Sequence, residues 1–185
     1  MSDRPTLLVT RTLPTLVEAR ITTDYDARLN SDDAQYDDDA LVARSVGANA
    51  ILTCSTEKFS EPVIQQLPDS VRAIATYSVG YEHIDLDAAR ARDIIVTNTP
   101  DVLTDATADV AFLCLLGAAR RAQESIDMLR TGKWGRWEAN TLLGIHLGGK
   151  NLGILGMGRI GRAVAKRARA FDMTIHYNNR SRLNP

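Results

Sequence analysis

Asn151-Leu152-Gly153-Ile154-Leu155-Gly156-Met157-Gly158-Arg159-Ile160-Gly161 is the stretch whose reading decides the fold. Asn151 to Leu155 reads as a short buried strand. Gly156, Gly158 and Gly161 then follow in the spacing G-x-G-x-x-G. Beyond them Ile160, Val164, Ala168 and Phe171 recur every three to four residues, the period of a helix with one apolar face. Strand, glycine turn and helix together form the context that the motif requires. Gly156 permits the tight turn off the strand. Gly158, without a Cβ, lets a pyrophosphate approach the backbone, and Gly161 lets the helix pack closely on the strand. The helix N-terminus adds unpaired N–H groups and a partial positive charge. The expectation is a dinucleotide site; the competing reading is a glycine-rich turn without a ligand.

Outward from that stretch, the chain alternates strands and helices. Thr6–Thr10, Asp26–Leu29, Ala50–Thr53, Val71–Thr76 and Ile94–Thr97 read as strands. Leu13–Arg20, Asp39–Val46, Ser60–Leu67 and Asp85–Arg92 read as the helices between them, with Ser60 as an N-cap and Pro62 in the first turn. Short connections between alternating elements predict a parallel sheet with helices on both faces. Ser31–Asp39 holds five aspartates in nine positions. Without a defined ligand pattern they read as a solvated loop entering a helix rather than a metal site. Thr104–Arg121 is a long helix, capped by Thr104 or Asp105. Its apolar middle, Val110 to Leu116, is expected to be buried between two layers. A more polar helix, Gln123–Arg130, and a glycine-broken loop with Trp134 and Trp137 follow. Met173–Tyr177 is a second strand after the motif helix.

Composition narrows the function classes. A length of 185 residues suggests one or two domains, and 44% hydrophobic residues suffice for a core. A net charge of -1 argues against a general nucleic-acid binder. Cys54 and Cys114 have no metal or disulfide spacing and read as core thiols of a reducing, cytoplasmic protein. No signal-peptide core follows Met1, and Val110–Ala119 is too short to span a bilayer. A dinucleotide domain needs about six strands, and two follow residue 150. The sequence is therefore expected to be an N-terminal fragment, with an incomplete second domain, that aggregates or stays partly molten when expressed alone.

Ser78-Val-Gly-Tyr-Glu-His-Ile-Asp85, Asn98-Thr-Pro100, the helix from Thr104, Lys133-Trp-Gly-Arg-Trp137 and the glycine stretch occur in an order that resembles the D-isomer-specific 2-hydroxyacid dehydrogenases. The pattern is nearest to the glyoxylate/hydroxypyruvate reductases among them. The resemblance implies an α/β protein with a flavodoxin-like substrate domain (1–100), an interdomain helix and dimerisation arm (101–146) and the start of a Rossmann dinucleotide-binding domain (147–185). It implies a small 2-ketoacid or 2-hydroxyacid substrate and a homodimer at full length. Val79 and Gly80 match the loop whose backbone N–H groups hold the substrate carboxylate; a glycine after a strand end is also what an anion nest needs. The alternative there is a plain turn. Arg159 and Ile160 match positions beside the cofactor pyrophosphate, and Thr107 matches a position on the nicotinamide side. Trp137 matches one that reaches toward a neighbouring subunit. Asp172 stands where relatives often have glycine, and Asp tolerates a left-handed helix end.

The end of the second strand, Tyr177-Asn178-Asn179-Arg180-Ser181-Arg182, bears on the cofactor. A carboxylate about twenty positions past the motif would bond a ribose 2′-hydroxyl and repel a 2′-phosphate. Asn178 is neutral, Arg180 and Arg182 can pair with phosphate, and Ser181 can donate to it. NADP(H) is expected over NAD(H); the alternative is two solvated arginines and NAD(H). The resemblance places the catalytic Arg, Glu and His later than residue 185, so no catalytic residue is assigned here. His83, His146 and His176 read as structural. Two other classes stay open: a nucleotide-sensing, corepressor-like binding protein of the same fold, and a short scaffold.

Overall fold

A computed structural model describes residues 4–183. The chain divides into two compact units, Met1–Pro100 and Asp101–Pro185.

In the first unit, β1 (Thr6–Val9), β2 (Asp26–Arg28), β3 (Ala50–Thr53), β4 (Ala73–Thr76) and β5 (Ile95–Thr97) form one sheet in the order β2-β1-β3-β4-β5. Every pairing is parallel, with Leu8 beside Ile51 and Ile51 beside Ile74. This is the flavodoxin-like order, with its reversal point between β1 and β3. Side chains alternate across the sheet as the pleat dictates. Leu8, Ile51 and Ile74 enter one core with Leu41, Phe59, Val63, Ile64, Ala88 and Ala89, while Leu7 and Val9 enter another with Leu13 and Ile21.

The helices of this unit are α1 (Thr15–Asp24), α2 (Asp38–Arg44), α3 (Glu61–Gln66) and α4 (Leu86–Ala91). Asp37 caps α2 by accepting from the Ala40 N–H, and Asp85 caps α4 by accepting from Asp87 and Ala88. Ser60 stands at the N-cap of α3, as expected, but its side chain makes no cap bond. The first helix begins two residues later than its apolar pattern suggested and ends at Asp24. Leu13 precedes a proline, which disfavours helical backbone, and its side chain is buried in the core instead.

The second unit contains α5 (Thr104–Ala119), α6 (Ala122–Arg130), β6 (Asn151–Leu155), α7 (Arg159–Arg169) and β7 (Thr174–Asn178). β6 and β7 pair in parallel, with Leu155 beside Asn178. Phe112, Leu147, Ala168 and Met173 form its core, and the Phe112 and Phe171 rings lie 5.0 Å apart. Arg167 on α7 pairs with both Asp105 and Asp109 on α5.

Three expectations for this unit are corrected. β6 is not a buried strand: Leu152 and Ile154 are half-buried and Leu155 is 89% exposed. α5 is not covered all round, since only Ala108 and Phe112 are buried while Val110 and Leu113 face outward. Its N-cap is Leu103, with no side-chain cap bond, rather than Thr104 or Asp105. Of the thiols, Cys54 is half-buried and packs against the core of Leu7 and Val9, whereas Cys114 is exposed and is not a core thiol. For β6 and α5 the apolar run was legible and the number of packing partners was not. Asp172 does adopt the left-handed conformation, with φ 55° after α7.

Candidate functional site

The glycine turn assembles as its spacing requires. Gly156 has φ 95°, a conformation that an L side chain strains to reach. Its N–H donates to the Asn178 carbonyl at 2.9 Å, which ties the turn to the end of β7. A Cβ on Gly161 would overlap the Gly156 carbonyl oxygen and stand 3.3 Å from Ile154 Cγ2. Gly158 caps α7 and borders open space, where an added Cβ would meet nothing within 4 Å. Among the described residues, the N–H groups of Arg159, Ile160 and Gly161 have no acceptor, as the first turn of a helix leaves them. The Arg159 guanidinium lies 2.6 Å from the Asp101 carboxylate. Ile160 is 36% exposed beside it.

Asn178 at the end of β7 and Arg180, Ser181 and Arg182 past it are all exposed. Asn179 Nδ2 donates to the Ser181 carbonyl at 3.1 Å and bends the chain there. Asn178 thus sits at the tip of the strand adjoining the glycine turn, with two cations following it. Thr107 lies on an exposed face of α5, and Trp137 is 84% exposed.

In the first unit, Val79 and Gly80 follow β4. The carbonyls of this loop are turned inward and satisfied. Ser78 O accepts from both the N–H and the hydroxyl of Thr99 at 3.0 Å, and Val79 O accepts from Asn98 Nδ2 at 2.8 Å. Gly80 O accepts from the Ser78 hydroxyl at 2.6 Å. Among the described residues, neither the Val79 nor the Gly80 N–H has an acceptor. Two free donors beside satisfied carbonyls can receive an anion. The Glu82 carboxylate folds over Gly80 and, being an exposed side-chain end, can turn aside. His83 Nε2 is 3.2 Å from the Thr76 hydroxyl, and burial lowers its pKa, favouring the neutral ring.

Asn98 and Thr99 were not singled out as partners of this loop, although their sequence stretch was. Nor were Arg11 and Asp33, which form a two-pronged ion pair with both contacts at 2.8 Å. Among the described residues no group of three or more His, Cys, Asp or Glu side chains could hold a metal ion, and no helix is long and apolar enough to cross a membrane.

A flavodoxin-type sheet followed by a glycine-turn β-α-β unit defines the class: a parallel α/β protein of two parts. Residues 8–177 match the family described as D-isomer specific 2-hydroxyacid dehydrogenase, catalytic domain, and the chain belongs to that family. It is 44% identical over 171 residues to a glycerate dehydrogenase of Hyphomicrobium methylovorum, covering 92% of this chain and 53% of that protein. It is 37% identical to a glyoxylate reductase of Pyrococcus horikoshii, covering 97% of this chain and 54% of the other. A solved structure of an NADPH-dependent glyoxylate/hydroxypyruvate reductase from Sinorhizobium meliloti, in complex with NADP and malonate, superposes with a TM-score of 0.81 at 32% identity. That match covers 98% of this chain and 55% of the other. The chain spans about half the length of the curated relatives it matches.

Proposed function

We propose that this chain forms the substrate domain and the first part of the dinucleotide domain of an NADPH-dependent reductase. Its substrate would be a small 2-ketoacid, glyoxylate or hydroxypyruvate, and its product the corresponding 2-hydroxyacid, of D configuration where the carbon is chiral. The observation that carries the reading is the paired, unsatisfied N–H groups of Val79 and Gly80 in one unit, together with the strand, glycine turn and helix in the other. The first suits a substrate carboxylate, and the second suits a pyrophosphate.

The residues fit the cofactor. Gly156 and Gly161 keep the turn close to the helix, Gly158 leaves the approach open, and the N–H groups at the start of α7 face it. Arg159 and Ile160 would flank the pyrophosphate, and Thr107 the nicotinamide side. Asn178, Arg180, Ser181 and Arg182 would take a ribose 2′-phosphate. When bound, NADPH supplies a hydride to a carbonyl carbon. This chain's own residues hold the substrate carboxylate and orient the carbonyl. Residues 1–100, 101–146 and 147–185 would serve as substrate domain, dimerisation arm and dinucleotide domain. Exposed Leu129, Trp134, Trp137 and Leu143 support a homodimer contact in the middle segment. The unpaired cysteines suit a reducing, cytoplasmic setting.

Titration of the intact, full-length protein with NADPH and with NADH, followed by nicotinamide fluorescence, tests this reading. NADPH should bind about ten-fold more tightly, the lower end for exposed charge-assisted contacts. Asn178→Asp should remove that preference. Equal binding of both cofactors would overturn the 2′-phosphate assignment, and binding of neither would remove the dinucleotide site.

A further inference from the structure

In the first unit β3 and β4 end on a buried threonine, and another directly follows β1. Thr10, just past β1, is 0% exposed, and Thr53 and Thr76, at the C-terminal ends of β3 and β4, are 1% and 2% exposed. Glu57, itself 1% exposed, lies against the first two. Its Oε2 accepts from the hydroxyls of Thr10 at 3.0 Å, Thr53 at 3.1 Å and Thr56 at 2.9 Å. Its Oε1 is buried and, among the described residues, has no hydrogen-bond partner. A half-satisfied buried carboxylate is a costly way to fill a core, and an apolar side chain of similar volume would pack there at less cost. The group also stands at the reversal point of the strand order, where ligand crevices of such sheets form.

Two residues further on, Phe59 is fully buried, and its backbone grips the loop that follows β4. The Phe59 N–H donates to the His83 carbonyl at 2.8 Å, and the Asp85 N–H donates to the Phe59 carbonyl at 2.9 Å. Residues 83–85 are thereby fixed at the base of the loop. Inside it, the Thr76 hydroxyl is 2.6 Å from Ser78 Oγ and 3.2 Å from His83 Nε2. A continuous set of contacts therefore runs from Glu57 through Phe59 and His83 to the turn that presents Val79 and Gly80.

The geometry points to Glu57 as a positioning residue for the carboxylate-binding loop. Its bonds to Thr10, Thr53 and Thr56 set the course of residues 54–59. That course sets where residues 83–85 are held, and so the spacing of the Val79 and Gly80 N–H groups. The inference rests on the reading of Val79 and Gly80 as the substrate carboxylate site. Glu57 touches neither substrate nor cofactor in this scheme.

Glu57→Gln keeps the volume but replaces the charged acceptor of the three hydroxyls with a neutral one and buries an NH2 group at the Oε1 position, where no acceptor lies among the described residues. Thr53→Val removes one donor to Oε2, and Thr53→Ser restores it. Two readouts on the full-length protein decide the matter: amide hydrogen exchange across residues 77–84, and steady-state kinetics with glyoxylate and NADPH. Glu57→Gln and Thr53→Val should speed exchange in residues 77–84 and leave β1, β3 and the second unit unchanged. They should raise KM for glyoxylate on the order of ten-fold, as displaced positioning groups do, with NADPH affinity and kcat within two-fold. Thr53→Ser should behave as the parent. Faster exchange spread evenly over the first unit, or unchanged loop exchange and KM, would overturn the inference. If the parent shows no turnover of glyoxylate, the proposed function falls, and loop exchange still decides the role of Glu57. Should Glu57→Gln fail to fold, Thr53→Val carries the same test.

Discussion

Asp33 sits in the left-handed region with φ 53°, in a loop that needs both its backbone and its charge. Its carboxylate accepts from Arg11 through two 2.8 Å contacts and from the Thr12 N–H at 2.9 Å. The Arg11 hydrogen bond, with the Thr12 N–H second, holds the carboxyl down at about 2 against an ordinary 3.8. A carboxylate depressed by folding contributes stability that is complete above its unfolded pKa and lost as pH falls through the folded one. Asp33→Asn should therefore lower Tm by a constant amount above about pH 4, and the gap should close toward pH 2. Asparagine also tolerates left-handed backbone, so the substitution isolates the charge. Thermal melts of both proteins between pH 2 and pH 7 check this, and a gap that persists at pH 2 would assign the effect to something other than ionisation. Residues such as these were hidden in the sequence because their partners lie far away. Glu57 meets Thr10 across 47 positions, and no local pattern announces that. Gly156, Gly158 and Gly161 were legible because the turn they build is local.

The helices separate two kinds of cap that look alike on paper. Asp37 and Ser60 both precede helices and both have cap residue types. Only Asp37 makes the bond, accepting from the Ala40 N–H at 2.8 Å. Asp37→Ala should cost about 1 kcal/mol, and Ser60→Ala only a few tenths, since a cap contributes through the N–H it satisfies. Urea denaturation of both variants measures the difference, and equal losses would contradict it. Element existence was readable throughout the first unit because hydrophobic runs, caps and breakers agreed there. Burial of β6 and α5 was misread for one reason. An apolar run records that a surface can be covered, and its coverage is set by neighbours that periodicity does not contain. The outward-facing Val110 and Leu113 of α5 and Leu155 of β6 are those surfaces.

For the whole molecule, the two units differ in how well they enclose their strands. Ile51 and Ile74 in β3 and β4 are fully buried, whereas β6 and β7 form a two-stranded sheet with half-buried apolar residues. Two strands are marginal without broad support from packed layers. Native-state hydrogen exchange of this 185-residue polypeptide should thus find the amides of β1, β3 and β4 the slowest. Those of β6 and β7 should open at lower free energy, and equal protection in the two sets would contradict this. The position of β1 inside its sheet also has a consequence during synthesis. β1 lies between β2 and β3, and its inner neighbour begins only at Ala50. At bacterial and eukaryotic elongation rates of about 5–20 residues per second, Leu7, Leu8 and Val9 wait roughly two to eight seconds for that partner. Until then only β2 can pair with them, and the other edge of β1 stays open on the nascent chain, which makes the speed of translation through residues 10–50 a determinant of how much of this protein escapes early capture by chaperones or by other unfinished chains.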